Sequence, residues 1–309
     1  METGTDTVLE WQGYKLVGKY GAVKGCHWLR EKLLRGKPCY KEQFYGIESH
    51  RCMQMTPVVN ICNCQCLFCW RFHGMKEYPS PDMDDPEALI EGMLAAQKEI
   101  VSGFGGDSRC EPEMWEESKS PTNVAISLSG EPTLYPRLSD LIEACHKRGT
   151  TTFLVTNGTN PRALDDLDVL PTQLYVTIAA PTREIFEKLC IPRSSRLWDR
   201  LMETVSMLPS LDTRKVIRHT LVSNWNMGWE SEYAALVERS EADFVECKAY
   251  MFVGDSRNRL AVENMPSHRD IRTFSERLCA ENSYELLDEH RDSRVVLLTR
   301  NQRKARLAF

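Results

Sequence analysis

Seven of the twelve cysteines of this 309-residue chain fall between residues 26 and 69. Cys62, Cys66 and Cys69 form a CxxxCxxC pattern. Three thiolates at this spacing can hold three irons of a [4Fe–4S] cube and leave the fourth iron open to an outside ligand. The alternative is a tetrahedral zinc site with Cys64 as the fourth thiolate. These residues alone leave both possibilities open.

A second set, Cys26, Cys39 and Cys52, has twelve residues between successive members. This spacing is too wide for a local zinc knuckle, but thiolates on separate loops or strands can converge on a second cluster. Three buried thiols that bind nothing are the alternative. The remaining cysteines are isolated in sequence, and we expect small buried side chains of Cys110, Cys145, Cys190, Cys247 and Cys279.

The elements that must position these thiols follow a repeated pattern. Short apolar runs are expected to be strands at 55–62, 123–130, 151–158, 173–180, 215–222 and 244–251. Helical spacing of apolar residues alternates with them near 87–100, 137–149, 161–168, 183–209, 229–240 and 268–281. Repeated βα units predict an α/β fold of parallel strands, either a doubly wound sheet or a closed or partial barrel.

Polar segments follow several of these strands, which is where a parallel sheet collects its functional groups. They are the cysteine loop after the first strand, SGEPT (129–133), TNGT (156–159) and SNWN (223–226). We expect residues 1–54 to form an extension that carries the second cysteine set and one helix near 27–35. Residues 55–309 would form the main unit, with an exposed acidic loop around 103–121 and a closing β-hairpin over 284–300.

Charge is unevenly distributed around the net value of −5. Residues 77–117 hold twelve acids against two bases, a local charge of −10. Residues 14–41 are basic, and the end of the chain adds a second basic block that includes Arg303 and Lys304. The first block consists of Lys15, Lys19, Lys24, Arg30, Lys32, Arg35, Lys37 and Lys41 against Glu31. A basic face of this kind is either a phosphate-contacting surface or a solvated face.

Composition excludes two broad classes. With 42% hydrophobic and 27% charged residues and no apolar run near the ~20 residues of a membrane helix, the chain is expected to be a soluble globular protein with no membrane contact. Twelve cysteines are too few for a disulfide scaffold. The first residues, METGTDTVLEWQG, lack the basic and apolar regions of a signal peptide, so we expect a cytoplasmic location.

The cysteine loop after the first of six strands, Phe68 before its last cysteine and SGEPT after the second strand together resemble the radical S-adenosylmethionine superfamily. The resemblance covers about residues 55–255 and implies a partial (βα)6 barrel. It implies that S-adenosylmethionine chelates the open iron and is split reductively into methionine and a 5′-deoxyadenosyl radical. Gly130 and Glu131 would then face the methionyl amino group, and Phe68 would lie beside the adenine. Thr156, Asn157 and Thr177 would contact the ribose or carboxylate, although TNG could also be a simple strand-ending turn.

Longer segments narrow the resemblance to the archaeal type of tRNA 4-demethylwyosine synthases. They are PCYKEQFYGIESHRCMQMTP (38–57), CNCQCLFCWRFHG (62–74), SGEPTLYP (129–136), LVTNGTNP (154–161) and VECKAYMFVGDSRNRL (245–260). The implied reaction condenses N1-methylguanosine at position 37, beside the anticodon of tRNA-Phe, with pyruvate. The radical removes a hydrogen from the N1-methyl group, the resulting carbon attacks the pyruvate carbonyl carbon, the carboxyl carbon is lost, and the exocyclic amine closes the ring.

The same resemblance implies that Cys26, Cys39 and Cys52 hold a second [4Fe–4S] cluster and that Lys41 forms a Schiff base with pyruvate. Positive neighbours at Arg35 and Lys37 would lower the pKa of Lys41 and favour its nucleophilic form, whereas an exposed surface lysine is the alternative.

The implied partners are tRNA and an external electron donor, a reductase or ferredoxin, and we expect a monomer. Trp70 and Trp225 would stack on the extruded base or else cover the core. Two other functions stay open: another radical S-adenosylmethionine enzyme with an auxiliary cluster, such as a peptide maturase, or a zinc-stabilised RNA-binding protein without catalysis.

Overall fold

The computed structural model describes residues 4–73, 83–300 and 305–307. The strands within these ranges form one mixed sheet of ten. They are β1 (Lys15–Val17), β2 (Gly21–Val23), β3 (Cys52–Thr56), β4 (Asn123–Ile126), β5 (Thr151–Thr156), β6 (Gln173–Thr177), β7 (Arg214–Leu221), β8 (Phe244–Ala249), β9 (Tyr284–His290) and β10 (Val295–Arg300).

Helices connect most of these strands. They are α1 (Gly4–Trp11), α2 (His27–Arg35), α3 (Tyr40–Tyr45), α4 (Pro86–Ser102), α5 (Pro112–Ser118), α6 (Leu138–Lys147), α7 (Pro161–Asp165), α8 (Arg183–Cys190), α9 (Leu197–Met207), α10 (Glu230–Ser240) and α11 (His268–Ala280). None of the helices in the described ranges is long and apolar enough to cross a membrane.

Strands β3 to β8 run parallel in chain order, and antiparallel pairs extend both edges of this core sheet. The sheet order is β1-β2-β3-β4-β5-β6-β7-β8-β10-β9, so the sheet does not close on itself. This is the partial (βα)6 barrel that the repeated pattern and the resemblance predict. The predicted closing hairpin is also confirmed, as β9 and β10.

Alternation along the strands separates two layers of side chains. On β6, Leu174 and Val176 belong to the large core between the sheet and the helices, whereas Tyr175 points to the opposite face. Phe153 on β5 and Phe244 on β8 share that opposite face with Tyr175. Because strand side chains alternate with a period of two, every parallel strand contributes to both layers.

The inner face is filled by helix α3. Tyr40, Phe44 and Tyr45 pack there against aromatic side chains of the strands, and Tyr45 meets Phe153 edge to face with ring centres 6.0 Å apart. The predicted helix at 27–35 is confirmed as α2, but the extension also contributes α1, β1, β2 and α3. It is therefore built into the barrel on both the sheet edge and the inner face.

The first barrel strand differs from its prediction. It spans Cys52–Thr56 rather than 55–62, because Asn60 has a φ of 59° and cannot continue a strand. Val58, Val59 and Ile61 are buried all the same, so the apolar run that suggested a strand is a core-packed loop before Cys62. The expected boundary after residue 54 falls inside β3, and the division into two units stays a prediction.

Two other expectations are also corrected. The segment 183–209 contains two helices rather than one, since α8 ends at Cys190 and α9 begins at Leu197. The acidic stretch expected as an exposed loop contains α5, whose Trp115 indole donates to the Val101 carbonyl at 2.9 Å and packs with Cys110. The apolar contact of one indole therefore orders an otherwise acidic segment.

Candidate active site

The cysteine loop is fixed on one side by the end of α8. The Gln65 amide donates to the Cys190 carbonyl at 3.1 Å, and the Leu67 amide to the Leu189 carbonyl at 2.9 Å. Ile191 then adopts a φ of 42°, a left-handed conformation that β-branched residues rarely take. This reversal lets the following residues run beside the cysteine loop, where the Arg193 amide donates to the Asn63 carbonyl at 2.9 Å.

The segment after β8 fixes the other side of the loop. The Arg259 guanidinium donates to the carbonyls of Leu67 and Cys69. The Asp255 amide donates to the Trp70 carbonyl at 3.0 Å. A Cβ on Gly254 would lie 2.3 Å from that same carbonyl oxygen, so a side chain there would push the two segments apart. The backbone of the cysteine loop is thus held by hydrogen bonds on both sides.

Cys62, Cys66 and Cys69 are brought together by this loop. Burial raises the pKa of Cys69 to about 11, and the neighbouring Cys66 thiol adds to that shift. Burial also raises the pKa of Cys62, with the nearby Glu131 carboxylate adding to it. Thiols give up their protons when they bind a metal centre, and all three of these are half-buried.

Two further thiols lie beside the triad. Cys64 is buried and packs in the main core, and Cys190, at the end of α8, is buried within hydrogen-bonding reach of Cys66. The sequence places Cys190 about 120 residues beyond the loop, so spacing gave no signal for it.

A zinc ion and an iron–sulfur cluster differ in the spacing of the thiolates that they bind. A tetrahedral zinc ion with bonds of about 2.3 Å brings its thiolates within about 4 Å of one another. Within the described ranges, the side chains of Glu48, His50 and Glu117 are the only potential metal-binding set with all ligand atoms within 4.8 Å of one another. Neither cysteine triad is that tight. A cube binds each thiolate through a different iron, so a wider triad fits it.

Glu131 ties the loops after β4 and β5 together. Its carboxylate accepts hydrogen bonds from the Thr156 hydroxyl at 2.6 Å and the Asn157 amide at 2.8 Å. It also accepts from the backbone and hydroxyl of Thr133. Burial raises its pKa, and these donors oppose the shift. The TNG segment is therefore more than a strand-ending turn, because two of its residues hold this carboxylate.

Gly130 permits the close approach of this loop to the segment before the cysteines. It has a φ of 77°, and a Cβ there would lie 2.0 Å from the Val58 carbonyl oxygen and 2.7 Å from that of Ile61. The Glu131 amide donates to the Ile61 carbonyl at 2.7 Å. A side chain at position 130 would therefore separate Glu131 from the cysteine loop.

The other expected cosubstrate contacts lie at the same rim. The Asn157 amide group donates to Asn63 at 2.8 Å and approaches the Cys62 sulfur at 4.0 Å. Phe68 is half-buried against the core, and Thr177, at the end of β6, is also half-buried. These placements are compatible with contacts to S-adenosylmethionine.

The second triad converges from three elements. Cys26 caps α2, and its sulfur accepts from the Leu29 amide at 3.3 Å. Cys39 precedes α3, and Cys52 opens β3 and accepts from the Asn123 amide group at 3.2 Å. Burial raises the pKa of Cys39 to about 12, with the Cys26 thiol adding to the shift, and raises that of Cys52 to about 11, again with Cys26 adding to it. The three half-buried thiols therefore lie close together.

Lys41 is buried beside this triad rather than exposed. Its ammonium lies 4.8 Å from the centre of the Tyr175 ring and 5.0 Å from that of Phe153. Burial lowers its pKa, and the guanidinium of Arg218 lowers it further. The prediction that Arg35 and Lys37 lower the pKa of Lys41 was wrong. Arg35 pairs with Glu31, and Lys37 pairs with Asp292.

A polar network next to Lys41 was missed by the sequence reasoning. Arg218 on β7 pairs with Glu246 on β8 at 2.9 Å and also donates to the Tyr40 hydroxyl at 3.0 Å. The Tyr45 hydroxyl donates to the same carboxylate at 2.7 Å. Polar residues alternating with apolar ones in FVECKA could have revealed this inner face.

Four of the eight bases in the block at 14–41 form ion pairs with described residues. Lys15 pairs with Glu99 at 2.9 Å, and Lys32 with Glu42 at 2.7 Å. Lys24 is half-buried, with its ammonium 5.4 Å from the centre of the Trp70 ring. In the second block, Arg303 and Lys304 lie outside the described residues.

The two tryptophans differ in exposure. Trp70 is 38% exposed, and the Arg71 guanidinium and the Lys24 ammonium lie over its ring. Trp225 packs in part against a small apolar cluster, as expected for a cover over the core.

Comparisons with known proteins agree with this geometry. The Radical SAM superfamily model matches residues 56–234, and the model for wyosine base formation matches 239–300. The S-adenosyl-L-methionine-dependent tRNA 4-demethylwyosine synthase of Pyrococcus abyssi is 48% identical over 94% of this chain and 86% of its own length. The synthase of Methanocaldococcus jannaschii is 39% identical over 96% of both chains. A solved structure of TYW1 with a lysine–pyruvate adduct bound has a TM-score of 0.91 at 38% identity and covers 99% of each chain.

The chain is thus a radical S-adenosylmethionine enzyme, and the superfamily implies S-adenosylmethionine and an iron–sulfur cluster. Within that class it belongs to the tRNA 4-demethylwyosine synthase family. Its activity lies in tRNA wyosine biosynthesis, with tRNA as its substrate.

Proposed function

We propose that this enzyme condenses pyruvate with N1-methylguanosine at position 37 of tRNA-Phe, and that Lys41 holds pyruvate during the reaction. The observation that carries the proposal is the placement of Lys41, buried on the inner face of the barrel beside the second thiol triad. A similar protein has been solved with a lysine–pyruvate adduct. Zinc-stabilised RNA binding without catalysis and maturation of a peptide have no comparable support.

Two clusters divide the work in this proposal. Cys62, Cys66 and Cys69 hold the cluster that binds S-adenosylmethionine, and Cys26, Cys39 and Cys52 hold a second [4Fe–4S] cluster. When bound, the first supplies the electron that cleaves S-adenosylmethionine and so generates the radical. Gly130, Glu131, Thr156, Asn157, Thr177 and Phe68 position that cosubstrate at the rim.

Lys41 acts on pyruvate through its amine. Attack on the ketone carbon forms an imine and releases water, and transfer of that carbon to the exocyclic amine of the base returns the free lysine. The aromatic rings of Phe153 and Tyr175 exclude water from the amine. The ion pair of Arg218 and Glu246 orders the polar network next to Lys41.

The remaining parts of the proposal concern partners and place. An external reductase or ferredoxin supplies the electron, the enzyme acts as a monomer, and it works in the cytoplasm.

Incorporation of labelled pyruvate tests this function. The anaerobically reconstituted enzyme is given S-adenosylmethionine, a chemical reductant, doubly labelled [2,3-13C]pyruvate and tRNA-Phe methylated at N1 of guanosine 37. Nucleoside mass spectrometry should find a tricyclic product that carries both labelled carbons. The matched control is the same tRNA without the methyl group, which should stay unmodified. A product without the label, or no product from methylated tRNA, would overturn the proposal.

A further inference from the structure

A cavity next to the cysteine loop is lined by three arginines, and we propose that it binds backbone phosphates of the tRNA. The cavity has a volume of about 310 Å³. Its polar lining includes Asn63, Asn160, Arg193, Arg196 and Arg200, and none of the described residues that line it is acidic. This inference rests on the proposed function, because it assigns a surface to the tRNA of that reaction.

The backbone holds this cavity against the rim of the active site. Pro192 forms an isolated bridge with Cys64, and the Arg193 amide donates to the Asn63 carbonyl at 2.9 Å. The Asn63 side chain in turn donates to the Thr159 hydroxyl at 2.7 Å. A nucleic acid that occupied the cavity would therefore lie directly beside the loop that carries Cys62, Cys66 and Cys69.

Two of the three arginines of the cavity carry charge that no partner in the described part of the chain compensates. Arg196 and Arg200 are exposed, and neither guanidinium takes part in an ion pair or hydrogen bond within the described part of the chain. The nearby Arg183, by contrast, is paired with Asp199. Guanidinium groups directed into one cavity repel each other, and an anion that bridges them would relieve the repulsion.

The N-terminus of α9 adds to the positive electrostatic potential of the cavity. Arg196 occupies the N-cap position of this eleven-residue helix and supplies no side-chain acceptor to its first turn. Helix N-termini carry partial positive charge, which attracts anions, although Asp199 in the first turn offsets part of it here. The helix end strengthens the attraction of the arginine cavity but does not define the site by itself.

The chemistry of the lining suits a phosphodiester. The planar fork of arginine matches two phosphate oxygens, and amides such as those of Asn63 and Asn160 suit the sugar and the ester oxygens. A cavity of about 310 Å³ is near the lower limit of small-ligand pockets and suits a short piece of backbone. The basic block at 14–41 is the weaker candidate, because Lys15 and Lys32 already have carboxylate partners.

Substitution of the two exposed arginines tests the assignment. The variant Arg196→Gln/Arg200→Gln is compared with wild type for binding of methylated tRNA-Phe across a series of salt concentrations. We expect about tenfold weaker binding at low salt and a shallower dependence on salt, reduced by about 0.7 to 0.9 in logarithmic slope per lost contact. Reductive cleavage of S-adenosylmethionine without tRNA should match wild type.

A charge-matched control keeps the test specific. Arg239→Gln/Arg269→Gln removes the same charge from exposed positions on α10 and α11 that do not line the cavity, and it should bind tRNA as wild type does. Unchanged affinity and slope in the cavity variant would overturn the inference and leave the proposed function intact. Loss of S-adenosylmethionine cleavage would overturn it too, because the arginines would then serve the cosubstrate. Failure of the wild type to bind tRNA would overturn both proposals.

Discussion

The ammonium nitrogen of Lys41 lies 4.8 Å from the centre of the Tyr175 ring. Helix α3 carries Lys41 and strand β6 carries Tyr175, so this contact joins the N-terminal extension to the inside of the barrel. A lysine in such a place gives up most of its hydration, and that favours the neutral amine which attacks a ketone.

Trapping the imine checks the role of this lysine. Treatment of the enzyme with pyruvate and borohydride should leave a reduced adduct on Lys41, to be mapped by peptide mass spectrometry. Lys41→Arg keeps the charge but should abolish both the adduct and product formation. Lys248 is the built-in comparison, because burial lowers its pKa to about 8 and it lies in the same region. An adduct on Lys248, or full turnover by Lys41→Arg, would contradict the assignment.

Loss of any thiol of the first triad should stop radical generation. Cys62→Ala, Cys66→Ala and Cys69→Ala each remove one ligand of the proposed cube, so cleavage of S-adenosylmethionine to 5′-deoxyadenosine should fall to background. Chromatography of the reaction mixture measures that product. Cys279→Ala, which changes a half-buried thiol on α11, should cleave at the wild-type rate. Retained cleavage in any triad variant would reject that residue as a ligand.

We expect that loss of a second-triad thiol removes the second cluster and leaves the first cluster in place. In Cys39→Ala the iron content should drop from about eight to about four per chain, since each cube contains four irons. Cleavage of S-adenosylmethionine should persist while formation of the modified base is lost. Iron and sulfide analysis together with both assays checks this. About four irons in the wild type, or zinc in place of iron, would refute the second cluster.

Gly130 gives a prediction about stability. Gly130→Ala should cost about 3 kcal/mol or more in the free energy of unfolding, because its φ of 77° is combined with a Cβ position only 2.0 Å from the Val58 carbonyl oxygen. Gly149→Ala is the matched control: φ is 72°, but nothing lies within 4 Å of its Cβ, so it should cost about 1 kcal/mol. Denaturant titrations compare the two. Equal costs would show that backbone conformation alone, and not the close approach, requires glycine.

His219 makes stability depend on pH. It is fully buried and its Nδ1–H donates to the Ile178 carbonyl at 2.8 Å, and burial lowers its pKa to about 4. In the unfolded chain this histidine takes up a proton near pH 6.5, whereas in the folded chain it does so only near pH 4. The free energy of unfolding therefore decreases as the pH falls from about 6.5 to about 4. Between pH 7 and pH 5 the loss should be about 2 kcal/mol.

The variant His219→Gln removes the titrating group and keeps an N–H donor. Its free energy of unfolding should change less with pH than that of wild type over this range, whatever its absolute stability. Parallel pH profiles for the two proteins would contradict the assignment.

Much of this architecture was predictable because buried parallel strands and amphipathic helices leave strong local patterns. The positions of β4 to β8 and of α4, α6 and α10 follow from runs and spacing of apolar residues. The first strand was misplaced because Val58 and Ile61 are buried without being in a strand, a distinction that hydrophobicity does not encode.

The candidate site was predictable only in part. The CxxxCxxC loop and the second triad are visible as spacing, but their neighbours are brought in by the fold. Cys190 reaches Cys66 from the end of α8, and Arg259 reaches Cys69 from beyond β8. The burial of Lys41 depends on α3, a six-residue helix whose aromatic side chains give no helical period. Contacts between segments so distant in sequence carry no local signal.

The helix that fills the barrel also bears on how the chain is made. Tyr45 on α3 bonds to a carboxylate 201 residues later, and Gln43 to one 245 residues later. On the ribosome, the aromatic face of α3 therefore leaves the exit tunnel long before β8 and β9 exist to cover it. Contacts this distant close slowly because long loops must form first. The nascent chain can first cover this face when Phe153 and Tyr175 have emerged, and the part that meets Phe244 and Glu246 stays uncovered until β8 has been synthesised.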